Sequence, residues 1–88
     1  MDDGAMQEVQ KPTVGRQVYY VSRGSLDGKF PPANRAATVT EVHPDNPYIV
    51  GLCVINPSGL FFHSLADGGI SLNTRGDVGG TWHWPPRV

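Results

Sequence analysis

Apolar residues along this chain recur in short runs separated by clusters of glycine, proline, asparagine and aspartate, a spacing that belongs to strands and turns. The first run, Arg16-Gln17-Val18-Tyr19-Tyr20-Val21-Ser22, is β-branched and aromatic, opens after Gly15, and predicts a strand. Arg23 to Asn34 then carries two glycines and two prolines with Asp27 and Asn34, so the strand gives way to a long loop. Ala36 to Val42 predicts a second strand, with Thr38, Thr40 and Val42 on one face and Ala37, Val39 and Glu41 on the other. After a turn at Pro44-Asp45-Asn46-Pro47, Tyr48 to Ile55 is apolar almost throughout, the mark of a central strand buried on both faces.

Asn56-Pro57-Ser58-Gly59 is the clearest turn of the chain, with proline suited to its second position and glycine to its end. It joins the third strand to Leu60-Phe61-Phe62-His63 as a β-hairpin. Five glycines and two aspartates between Ser64 and Gly80 predict a second long, mobile loop with room for a short strand at Ile70 to Leu72. Thr81 to Trp84 closes the pattern, and Pro85-Pro86 ends it because proline has no N–H for a ladder. With no long helical stripe, the fold class expected is all-β: a small SH3-like barrel or a strongly twisted antiparallel sheet of about five strands with two long loops.

Alternation also sorts the aromatic residues. Trp82 and Trp84 fall on one face of their strand, where two indoles either seal a core or form a contact platform, while Thr81 and His83 take the opposite, solvated face. Only one of Tyr19 and Tyr20, and only one of Phe61 and Phe62, can face the core of a regular strand, so at least two aromatic residues should face outward or into an interface.

Eighty-eight residues allow one small core. Residues 1–12 show neither strand nor helix periodicity and end at Pro12; they are expected to form a flexible arm, with residues 13–88 as a single small β domain. A chain of this size buries only about 60% of the surface its unfolded form exposes, so a partner or an oligomer interface would add stability. The net charge is −1, and because three of the acids lie in the first ten residues, residues 11–88 carry +2. That balance disfavours a nucleic-acid binder that works through phosphate charge alone. The lone Cys53 sits in an apolar run and is expected to be a small buried hydrophobe. No tripartite leader and no apolar run near the ~20 residues of a membrane span are present, so a soluble, cytoplasmic protein is expected, with a virion location as the other option.

Catalytic patterns are missing. His43, His63 and His83 each fall near a strand end, without the short ligand spacing that marks zinc, so no metal site and no cofactor are expected. His43 and His63 are read as strand-end residues. Ser58 belongs to a turn rather than to a nucleophile elbow, and Gly76-Asp77-Val78-Gly79-Gly80 lacks the lysine and helix of a phosphate loop. An enzyme is not expected.

The segments Lys11 to Arg16, Val18 to Ser22, Arg35 to Val42, Gly51 to Phe62 and Gly79 to Pro85 resemble a family of small, mostly uncharacterised proteins of actinobacteria and their phages. The resemblance implies a phage or prophage product and brings no catalytic residues with it. The loops Ser25 to Asn34 and Ser64 to Val78 depart from the family pattern.

Binding is the remaining chemistry. Arg23, Arg35 and Arg75 lie in or beside the long loops, and Tyr19, Phe61, His63, Trp82 and Trp84 supply rings near strand ends. The leading expectation is a non-enzymatic protein that uses these residues for self-assembly or for contact with a host or virion protein. A nucleotide-like small ligand gripped by aromatic faces and guanidinium forks is the alternative. A nucleic-acid-binding small barrel is the third.

Overall fold

A computed structural model of the chain describes residues 9–24, 27 and 31–86. It is all-β: β1 (Gln17–Val21), β2 (Asn34–Val42), β3 (Ile49–Asn56), β4 (Gly59–His63), β5 (Ile70–Ser71) and β6 (Trp82–His83). All the ladders are antiparallel, in the order β4-β3-β2-β1-β6, and β5 pairs with the start of β3. The sheet stays open, so of the two forms expected the twisted sheet is the one adopted. An isolated parallel bridge between Leu72 and Trp82 and a 2.9 Å hydrogen bond from the Asn73 N–H to the Trp82 carbonyl tie the segment after β5 to β6.

The register explains which residues make the core. Val18 faces Ala37, Ala37 faces Val54, and Val39 faces Leu52, so these share one side of the sheet with Tyr20 and Trp82. All are buried, together with Val50 and Ile70. Each fully buried branched side chain of this kind contributes about 1.5–3 kcal/mol. Trp82 is the largest of them and is 0% exposed. From β6, beside β1, its indole reaches across the concave side and donates a 2.9 Å hydrogen bond to the Tyr48 carbonyl just before β3. Trp84 meets it edge to face at 5.5 Å.

Regular alternation fails in β2. Val39 faces Leu52 while Glu41 faces Gly51, a bulge that makes Thr40 the extra residue. Beyond it the faces exchange: Val42, expected beside Thr38 and Thr40, faces Val50 and packs on the core, while Thr40 and Glu41 are exposed. The Glu41 carboxylate reaches past the bare backbone of Gly51 and accepts the Leu65 N–H at 2.9 Å. β3 is central, but its second face is not buried throughout: Gly51 is buried, Cys53 only half-buried, and Ile55 exposed. The expectation of a buried Cys53 is therefore corrected: it is half-buried, flanked by Thr38 and Phe62 on the outer face.

Residues 1–8 of the expected arm lie outside the described residues, as do Ser25, Leu26 and Gly28 to Phe30 of the first loop. Residues 9–12 are docked on the sheet. The Tyr48 hydroxyl donates to the Val9 carbonyl at 3.0 Å, the Trp84 indole to the Gln10 carbonyl at 2.9 Å, and Pro12 is buried. Two buried-edge aromatics with polar tips need acceptors, and this segment provides them. The second long loop is likewise stitched down. Ser64 and Asp67 form a capping box on a 3-10 turn at Leu65–Asp67, and the Asn73 side chain accepts from the N–H groups of Arg75 and Gly76.

Replacing Trp82 with Ala is expected to cost about 3–5 kcal/mol, a large share of the stability of a domain this small. Urea denaturation followed by circular dichroism measures it; a loss below about 1 kcal/mol would show that the indole does not close the core.

Candidate functional site

The residues expected to bind do not converge; the fold deals them to three places. The first is β4, the free edge of the sheet. Leu60 and Phe62 face Ile55 and Cys53 on the outer side, and Phe61 faces Val54 on the inner side. Leu60 is 62%, Phe62 65%, Phe61 46% and Ile55 42% exposed. Neither phenylalanine enters the core: Phe61 points to the core side but stands beyond the part of the sheet that Trp82 and β5 cover, and Phe62 points to the outer side. His63 is half-buried at the end of the strand, with its ring 6.1 Å from that of Phe61. β4 contains no charge, no proline and no bulge, the devices by which sheet edges are ordinarily blunted.

The second place is a cleft of about 410 Å³ at the end of the sheet, lined by Tyr20, Ser22, Arg23, Pro31, Arg35 and Asn56. Tyr20 of β1 faces Arg35 of β2, and Asn56 follows Ile55, which faces Ala36, so one cross-strand row supplies its floor. Arg23 leaves β1 beside the turn at Gly79-Gly80, where Gly80 has φ +83°. A Cβ on Gly80 would stand 2.7 Å from Arg23 Nε, so the guanidinium lies directly on that glycine. The base of the loop is closed by a 2.9 Å bond from the Ser22 N–H to the Ala33 carbonyl and another, also 2.9 Å, from the Ala33 N–H to Ser22 Oγ.

The third place is the C-terminal aromatic segment. Trp82 is sealed in the core, one of the two roles open to it, and offers a partner no surface, which corrects its place among the expected binding residues. Trp84 is half-buried, and the Arg16 guanidinium lies 4.9 Å from its ring centre, a cation–π contact that sequence reasoning did not pair. Arg75 is exposed, bonded to Asp77 at 3.4 Å, and is not among the residues lining the cleft with Arg23 and Arg35. Tyr19 is half-buried on the outer face and stacks edge to face on His83 at 5.5 Å.

His83 was expected on a solvated face; it is on the outer face but only 8% exposed. The loop that follows β5 covers it. Gly76, at φ +69°, passes so close that a Cβ there would stand 2.8 Å from His83 Cε1. His83 Nδ1 is buried without a hydrogen-bond partner, and burial holds its pKa below the ordinary 6.5. His43 accepts from the N–H groups of Asp45 and Asn46 at 3.0 and 3.1 Å and so caps the turn before β3. Among the described residues no three His, Cys, Asp or Glu side chains group as metal ligands. No helix among them is long and apolar enough to cross a membrane.

Ile55 and Leu60 were missed as surface residues, although an unbroken Leu-Phe-Phe just after a tight turn is a signal of an undefended edge. His83 generates a pH prediction. The unfolded chain binds the His83 proton near pH 6.5 and the folded chain only at lower pH, so stability is full above about pH 7 and declines as the pH falls through 6.5. Urea midpoints measured between about pH 5 and 7.5 should show this decline in the native chain and a shallower one in His83→Gln. Parallel profiles would remove His83 as its source.

Comparison with models of protein families, with curated proteins and with solved structures finds no match.

Proposed function

We propose that this chain is a non-enzymatic binding module that acts through protein–protein contact, with β4 as the contact strand and a second copy of the chain as its first partner. The observation that carries the reading is the edge itself: an uncharged, unblunted strand with large apolar side chains exposed on both faces.

The pattern of β4 is self-complementary. In a ladder closed by a two-residue turn, Gly59, Phe61 and His63 direct their polar backbone groups to β3, while Leu60 and Phe62 direct theirs outward. An antiparallel copy centred on Phe61 places Leu60 opposite Phe62 of the second copy and Phe62 opposite its Leu60. Both outward pairs of backbone groups are then satisfied, and the same two pairs bury one apolar stripe on the outer face. Phe61 meets its own symmetry mate on the inner face. Such an isologous contact needs one surface only and meets no like-charge repulsion in β4. Pairing by strand addition also suits a host or virion protein that presents an extended segment to the same edge. The resemblance to actinobacterial and phage proteins supports a phage- or prophage-type role in the bacterial cytoplasm or the virion.

Sedimentation velocity of the full chain across a concentration series should show a monomer–dimer equilibrium. Leu60→Lys and Phe62→Lys, which place charges on the edge, should shift it to monomer while leaving stability within about 0.5 kcal/mol, since both sites are exposed. A native chain that stays monomeric throughout, or lysine variants that dimerise as before, would overturn the reading.

A further inference from the structure

We propose that the cleft at the end of β1, the start of β2 and the end of β3 binds the phosphate group of a small phosphate monoester, or inorganic phosphate, through Arg23 and Arg35. The proposal stands apart from the β4 contact and rests on a different set of residues.

Arg35 is only partly exposed, and its Nε, which always carries a hydrogen, is buried without an acceptor. A buried donor of a charged group left unmatched is costly, and proteins rarely retain one unless something else supplies the acceptor. Arg23 enters the same cleft and makes no ion pair or side-chain hydrogen bond among the described residues. The glycine backbone beneath it restricts where its guanidinium can lie, so the ordering cost of binding is reduced in advance. Among the described residues the lining contains no carboxylate; Ser22 and Asn56 add uncharged polar groups and Tyr20 an aromatic wall.

Two guanidinium groups with no counter-charge among the described residues that line the cleft call for an anion, and their geometry selects its type. A carboxylate has two oxygens and one charge, which a single arginine fork consumes. A phosphate monoester has three free oxygens and close to two charges at neutral pH, enough for both forks. At about 410 Å³ the cleft falls in the range of small-molecule sites, so the phosphate can bring an organic group with it. Arg75 is not part of this arrangement because Asp77 already pairs with it.

The test is isothermal titration calorimetry of the full chain with inorganic phosphate and with adenosine 5′-monophosphate at constant ionic strength. Saturable binding of at least one probe is expected, weakened by about tenfold or more in Arg23→Gln and in Arg35→Gln and unchanged in Arg75→Gln. Tighter binding of the nucleotide identifies a phosphorylated small molecule as the ligand; equal binding identifies phosphate itself. Should Arg35→Gln fail to fold, Arg23→Gln carries the result, because Arg23 is exposed. Absence of saturable binding by both probes, or equal weakening in Arg75→Gln, would overturn the proposal.

Discussion

The structure depends on the passage of one indole across the concave side of the sheet. Trp82 belongs by its backbone to β6 at one margin, yet its Nε1 bonds to a carbonyl at the threshold of β3, three strands away in sheet order. That bond and the burial around it set the curl of the sheet. β5 is held over the start of β3, and the Leu72 bridge and the Asn73 hydrogen bond attach the returning loop to β6. An all-β domain this small has no second layer to pack on, so it must cover its apolar face with its own ends. The price is that coverage stops short of β4.

The same shortage explains why residues 9–12 lie on the sheet. Tyr48 and Trp84 close the two sides of the core around Trp82, and each has a polar tip that needs an acceptor at the boundary with water. The carbonyls of Val9 and Gln10 accept from them, and Arg16 covers the exposed face of Trp84. These contacts link the segment before β1 to the segment after β6, which are distant in sequence and adjacent in space.

What was legible in the sequence was local. The turn Asn56-Pro57-Ser58-Gly59, the β-branched runs and the terminal prolines place all six strands to within a residue or two, because each signal is chemical and short-range. The bulge at Thr40 was not legible: threonine fits a regular strand equally well, and only the opposition of Glu41 to Gly51 and of Val42 to Val50 reveals the shift. Nor could alternation tell whether a face is covered. His83 was assigned to the face opposite the tryptophans and lies there, yet it is buried, and alternation left open which of Phe61 and Phe62 is covered when neither is. A loop that passes over His83 and a core that ends before Phe61 are long-range facts, carried by Gly76 on one side and Trp82 on the other. The cleft was half legible: Arg23 and Arg35 stood out by their loop positions, while their separation from Arg75 and from the tryptophans depends on the register of β1 with β2.

The two margins of the sheet are unequal. β6 is two residues long, its far side is taken by Leu72 and Asn73, and Pro85-Pro86 follow almost at once, so it presents nothing on which another strand can continue. Among the described residues the sheet therefore has a valence of one along the hydrogen-bonding direction. A strand added at the open margin leaves no second margin to propagate from, and the stacking by which sheets grow into fibres terminates after a single step.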